Sequence, residues 1–201
     1  MEQAQRRRRM SPTRRRRQIV DAAGVIFETR DPLEVTFEDV AETAGVSRGL
    51  VYRYFGDKGG LVAAVYLRSS QRFDAAIDVA VAAAADPEER LRTMIRTYFR
   101  LAEANAGAFR RFASLASVHH PKVEAAREQR LRRVAARWGD TEEAAVVARA
   151  VVTMLESTAL DWLDRHWPDV DTAADTVTTL LWGGVSAFTV SGTVVVPGRQ
   201  A

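Results

Sequence analysis

The chain has 201 residues, a net charge of +3, 47% apolar side chains and no cysteine. That length suits one or two domains with a real buried core, and the missing thiols exclude disulfides, cysteine-ligated zinc and thiol catalysis. No apolar run reaches bilayer-spanning length, and no apolar segment follows the charged start as a secretory signal would need, so a cytoplasmic protein is expected.

The charge is unevenly placed. Arg6–Arg9 and Arg14–Arg17 set eight arginines against one acid, Glu2, so residues 1–20 hold +7 and the remainder −4. Residues 1–10 read as a disordered basic arm, being almost free of apolar side chains. Such an arm suits a minor groove or phosphates, with release of counterions. Two other readings compete: attachment to an anionic membrane surface, weakened because no apolar face appears before Ile19, and a solubilising tail with no specific partner.

Ser11-Pro12 reads as a helix cap followed by proline at the first helical position. The helix it opens is expected to reach about Thr29, with Ile19, Ala22, Ala23, Ile26 and Phe27 on one face, before Arg30-Asp31-Pro32 breaks it. Residues 37–56, FEDVAETAGVSRGLVYRYFG, then carry the most informative spacing in the chain. Thr36 caps a short helix, with Asp39 three residues on in a weaker relative of the capping box. Gly45 ends it, since that position needs a positive φ. Ser47 caps a second short helix, whose Val51 and Phe55 face inward. Arg48, Gly49, Leu50, Tyr52 and Arg53 are left outward, a compact surface of donors and small groups suited to base edges and phosphates in a major groove. A plain helical hairpin is the bland alternative, but small Ala41, turn Gly45 and buried Val51 are less common together.

Asp57 caps a long helix from Lys58 to about Ala84, with Leu61, Val65, Phe73, Ile77 and Val81 as its stripe and Ser69 as a polar gap. Asp86-Pro87-Glu88-Glu89 starts the next, with Leu91, Met94, Ile95, Tyr98 and Ala102 inward. Further helices are expected over 106–118, 122–138, from Asp140 to about His166, and from Asp171 or Thr172 to about Ser191. The run Thr193–Val196 has strand propensity but no partner, so it reads as tail. The expected class is therefore all-α, about nine helices with no convincing strand. The expected domains are 1–10 as the arm, 11–56 as a helix-turn-helix domain, 57–192 as a helical ligand-binding and dimerisation domain, and 193–201 as a tail.

Residues 14–62 resemble the TetR family of bacterial transcription regulators. The likeness lies in RRRRQIVDAAGVIFETR and VTFEDVAETAGVSRGLVYRYFGDKGGLV, where Thr36, Ala44, Gly45, Val46, Tyr52, Phe55 and Lys58 fall in the family pattern. The resemblance implies a phosphate contact at Thr36, close backbone approach at Ser47, Arg48 and Gly49, and phosphate contacts from Tyr52 and Lys58. Leu50 replaces a usual small residue, Tyr54 a usual histidine, and Asp31-Pro32 a usual glycine turn; these departures bear on which operator is read. The expected DNA-binding set is Thr36, Ser47, Arg48, Gly49, Leu50, Tyr52, Arg53, Tyr54 and Lys58.

The same resemblance implies a homodimer joined through the last two long helices, with Val151, Leu155, Ala159, Val177, Leu181, Val185 and Phe188 as candidate interface residues. A monomer whose ordinary core takes them is the alternative. It also implies a small-molecule pocket, for which Tyr98, Phe109, Phe112, Trp138 and Trp162 are candidate lining; each is equally readable as core. An enzyme would need a constellation. Asp161, Asp164, His166, Asp169 and Asp171 gather near a helix end, but aspartates there serve more often as caps and turn formers than as metal ligands. No phosphate-binding loop, nucleophile elbow or dinucleotide glycine set is present. No cofactor or metal is expected. The expectation is a ligand-responsive repressor released from a palindromic operator by a small organic effector, with an activator, or a basic helical protein that binds RNA or membrane, as alternatives.

Overall fold

The computed structural model describes residues 10–114, 120–137, 139, 141–166, 168–185, 189–190 and 193–194. Among them the elements are α1 (Pro12–Phe27), α2 (Phe37–Ala44), α3 (Arg48–Phe55), α4 (Lys58–Val81), α5 (Pro87–Ala104), α6 (Ala106–Ser114), α7 (Pro121–Ala135), α8 (Glu142–Arg165), α9 (Val170–Val185), and a two-residue pair, β1 (Thr189–Val190) with β2 (Thr193–Val194). The fold is all-helical apart from that pair.

Local chemistry explains most helix starts. Ser11, Thr36, Ser47, Asp57, Asp86 and Thr141 each accept a backbone N–H three residues on, satisfying donors a helix N-terminus leaves free. Thr36 and Asp39 complete a reciprocal capping box, and Gly45 stops α2 in the left-handed region at φ 61°. Asp31 turns the chain after α1 by accepting the Leu33 N–H at 2.8 Å, and Pro32 is buried behind it.

Several boundaries differ from the expectation. The first helix ends at Phe27, two residues early, where Glu28 and Thr29 close with shorter i→i−3 hydrogen bonds. The last begins at Val170 because Asp169, not Asp171 or Thr172, is the cap, accepting both the Asp171 and Thr172 N–H groups. That helix ends at Val185, and Thr193–Val194 does find a partner in Thr189–Val190, antiparallel with Thr189 opposite Val194.

Two apolar clusters carry the packing. The first joins α1, α2, α3 and the first two turns of α4, centred on Ile19, Phe27, Val40, Val51 and Leu61, and it draws in Val123 and Ala126 from α7. The second is built from the end of α4 with α5, α8 and α9, centred on Leu91, Ile95, Phe99, Leu155 and Leu163. Helix α4 runs from one to the other, packing on α1, α5 and α7, while α5 lies on α9. Arg92, Arg96 and Arg100 lace α5 to Asp171 and Asp175 of α9 at 3.0–3.5 Å, exposed pairs that align the helices more than they stabilise them.

Candidate nucleic-acid interface and interior cavity

Helix α3 is anchored by Val51 and Phe55, both buried in the first cluster, and by the crossing of α2 over the Gly45 turn. Gln18 of α1 ties that crossing down by donating to the Ala44 carbonyl at 2.7 Å. At the helical period, Arg48, Gly49, Tyr52 and Arg53 cover about 140° of the opposite arc. All four are exposed, as are Thr36 and the cap Ser47. Tyr52 is 64% exposed and leans edge-on against Phe37, so its hydroxyl is presented on a propped ring. Arg48 stands 3.9 Å from Glu38, a loose pair that leaves its fork free to rearrange. Space around Gly49 is open, so only an incoming partner, and not the protein itself, would demand a glycine there.

Three of the expected contact residues are less free. Leu50 is half-buried. Tyr54 is also half-buried, packing against the first cluster with Arg53 over its ring. Lys58 is half-buried too, and its ammonium donates to the Leu33 carbonyl at the turn after α1. Arg16 lies over the Phe55 ring at 5.2 Å, placing part of the second arginine run beside α3; Arg6–Arg9 lie outside the described residues.

Charge is organised around the same helix starts. Thr36, through its hydroxyl and its backbone N–H, and Arg30 hold the Asp39 carboxyl well below the usual carboxylate range, the Thr36 hydroxyl being the largest cause. Asp57 is lowered in the same way, chiefly by Lys122 of α7, whose ammonium reaches it at 2.7 Å. His120, the cap of α7, presses on this point: a Cβ added at Gly59 would fall 2.1 Å from its ring. The start of α7 is thus latched onto the start of α4.

Behind the head lies a cavity of about 260 Å³. Its walls come from α1 (Val20, Gly24, Val25), α4 (Val65, Tyr66, Phe73), α5 (Tyr98, Leu101), α6 (Phe109, Phe112), α7 (Arg130) and α8 (Glu156). Tyr98, Phe109 and Phe112 line this cavity. Trp162 does not: it packs edge-on against Phe99 at 5.6 Å inside the second cluster, its indole N–H donating to the Pro168 carbonyl. Trp138 lies outside the described residues. Sequence reasoning missed Arg130, one of several charged residues on α7, Glu156, a lone charge in the stretch 150–160 of α8, and Tyr66, which sits off the apolar stripe. The polar gap at Ser69 was the available signal, since Ser69 and Ser70 both line the cavity.

The expected interface residues fare differently again. Val151, Leu155, Ala159 and Val177 are buried inside the single chain, where they form the second cluster, and Leu181 is half-buried against it. They pack between α5, α8 and α9. Val185 closes α9, and Phe188 lies outside the described residues. The outward faces of α8 and α9 instead present Val146, 68% exposed, and Leu180, 67% exposed, among small Ala150, Thr153, Gly183 and Gly184.

The aspartates near the end of α8 are occupied locally: Asp161 pairs with Arg165, Asp164 with Arg110, and Asp169 caps α9. Among the described residues no group of His, Asp and Glu could hold a metal ion, and no helix is long and apolar enough to cross a membrane.

Comparison with known proteins bears on this geometry. Residues 19–65 match the family model described as bacterial regulatory proteins, tetR family. Over 178 residues the chain is 30% identical to the HTH-type transcriptional repressor KstR of Mycobacterium tuberculosis, covering 84% of this chain and 81% of that one. It is 26% identical over 188 residues to the HTH-type transcriptional activator FasR of Mycolicibacterium smegmatis, covering 89% and 86%. A further regulator of Mycobacterium tuberculosis is 37% identical over 87 residues, a match that spans 43% of either chain. Among solved structures, a tetR-family regulator from Streptomyces coelicolor superposes with a TM-score of 0.68 at 23% identity, covering 89% of this chain and 83% of that one.

Proposed function

We propose, given that this chain belongs to the TetR family of bacterial regulatory proteins and is a DNA-binding transcriptional regulator, that it acts as a homodimeric repressor which a small organic effector releases from a palindromic operator. The observation that carries this reading is the shared wall of the cavity. Val20, Asp21, Gly24, Val25 and Glu28 of α1 face the same space as α5, α6 and α8, so an occupant touches the reading head itself. Helix α6 also grips α1 directly, with Arg111 donating to the Phe27 carbonyl at 2.6 Å. An effector that displaces α1, α6 or α7 moves the α4 start through the His120 and Lys122 latch, and with it Lys58. Effector then favours one separation of the two heads and operator the other, and reciprocity makes each weaken the other.

At the operator, Ser47, Arg48 and Gly49 would meet base edges, with Leu50 reaching a thymine methyl, while Thr36, Tyr52, Arg53, Tyr54 and Lys58 hold phosphates. Lys58 exchanges the Leu33 carbonyl for a phosphate oxygen, a stronger charge-assisted partner. The second head follows from the exposed small-residue face around Val146, Ala150, Leu180 and Gly183, which allows close helix approach across a two-fold axis. Leu180→Asp should yield a monomer by light scattering and abolish palindrome binding; a dimer that persists would sink that interface.

Selection of bound duplexes from a random pool, followed by a promoter assay with and without the protein, tests the whole reading. An inverted repeat whose promoter is silenced supports it, and a motif without two-fold symmetry overturns it. Activation is the second reading, favoured by the likeness to FasR over 89% of the chain; the same promoter assay distinguishes it by a fall in transcription when the protein is removed.

A further inference from the structure

Two buried donors at the cavity lack acceptors. The Tyr98 hydroxyl and the Arg130 Nε make no hydrogen bond among the described residues, although both residues line the space. Arg130 pairs with Asp74 through Nη2 at 3.5 Å, and its guanidinium also lies beside the Tyr66 and Tyr98 hydroxyls. Burial pushes the Tyr98 phenol up, so it remains a protonated donor at every physiological pH. An unmet buried donor carries a penalty that an acceptor removes.

Charges of both signs surround these donors. Asp21, Glu28 and Glu156 line the cavity against Arg68, Arg72 and Arg130. Asp21 is shared by Arg68 at 3.2 Å and Arg72 at 2.8 Å, whereas Glu156 has no ion pair among the described residues. An anionic ligand would face the unpaired Glu156 and a cationic one the buried Arg130, so a full charge of either sign meets a like charge at this wall. The apolar part of the wall is aromatic. Phe73, Tyr98 and Phe109 pack with centroids 5.0–6.2 Å apart, and Tyr66 meets Phe112 edge-on. Such walls favour flat rings. The volume of about 260 Å³ lies below the ~300–1,000 Å³ of most small-molecule sites, so the occupant is small.

We propose that the cavity takes an uncharged, flat, apolar molecule of about two fused rings with a single carbonyl oxygen, as in a ketone, lactone or ester, and that Tyr98 and Arg130 donate to that oxygen. This rests on the reading of the cavity as the effector site. Tyr98 supplies the neutral hydrogen bond that selects for the carbonyl, and Arg130, held by Asp74, supplies a charge-assisted one.

Calorimetric titration of the full chain with four probes of one bicyclic skeleton tests it: 1-tetralone, tetralin, 1-naphthoate and (1-naphthylmethyl)trimethylammonium. The ketone should bind tightest, about tenfold better than tetralin, the hydrocarbon without an acceptor. Tyr98→Phe keeps the ring and its packing, so it should bring ketone and hydrocarbon to within about twofold while leaving the tetralin affinity unchanged. A charged probe that binds tightest, or a ketone preference that survives Tyr98→Phe, overturns the ligand class. Ala108→Phe, which fills the cavity, separates that failure from the larger one. If it abolishes binding of whichever probe wins, the effector-site reading stands even where the ligand class falls. If no probe binds, or binding survives the filled cavity, both fall together.

Discussion

The reading head and the cavity are built by different kinds of contact. In the head, each decisive feature is closed within a few residues: Thr36 with Asp39, Ser47 with the Leu50 N–H, Gly45 by its own φ of 61°. At the cavity, Tyr98, Arg130 and Glu156 come from three helices, with Tyr98 packing on Phe73 and Arg130 pairing with Asp74 of a fourth. A head assembled from local devices can keep its shape while the rest of the chain varies its site. A site assembled from distant helices changes whenever their packing does.

Four measurements would break or sharpen this contrast. Phe99→Ala strikes the second cluster, where the ring is fully buried against Trp162. It should cost ~3–5 kcal/mol in urea unfolding, yet at low temperature leave operator affinity near that of the parent. Loss of operator binding in protein that is still folded would mean that the head depends on the far core. Gly45→Ala should cost ~1–2 kcal/mol through backbone strain alone, since a Cβ there meets nothing within 4 Å. Because the strain sits between α2 and α3, operator affinity should fall with it, and an unchanged melting temperature would refute the strain account.

Lys122→Met removes an exposed partner of Asp57, worth only ~0.2–1 kcal/mol of stability. Under the proposed release by an effector, its larger effect should appear as a weaker response of operator binding to a cavity ligand, measured by anisotropy, because the latch between α7 and α4 is loosened. An undiminished response would remove the latch from the coupling route.

The smallest effect concerns acid. Asp39 and Asp57 have carboxyls held below their ordinary values in the folded chain. Their stabilisation is therefore fully present above the unfolded carboxylate pKa of ~3.9 and is lost as pH falls below it toward the lowered folded values. Asp39→Asn should flatten the dependence of melting temperature on pH in that window and change little near neutrality. A parallel acid limb in parent and variant would show that the capping box contributes nothing to it.

The helix-turn-helix was legible because its signals are written in spacing: caps three residues ahead of their N–H, glycine at a turn, and Val51 and Phe55 one turn apart. The same local logic located Asp57 and Asp86 as caps. It says less at Trp162 and at the candidate interface residues, where apolar spacing marks a buried face but cannot say whether the cover is another helix of the chain or a second copy. Val151, Leu155, Ala159 and Val177 are covered by their own chain. Arg130 was invisible for a related reason: one arginine among many on α7 differs from its neighbours only in what α4 and α5 bring beside it.

Sequence by itself determined the helical class, the reading head and the side chains α3 turns outward, because helix caps, turn glycines and the helical period act over three or four residues. Tertiary structure alone decided which aromatics surround a cavity, which charges meet there, and which apolar faces of α8 and α9 stay open, because those outcomes depend on free energies of burial shared between segments far apart in the chain.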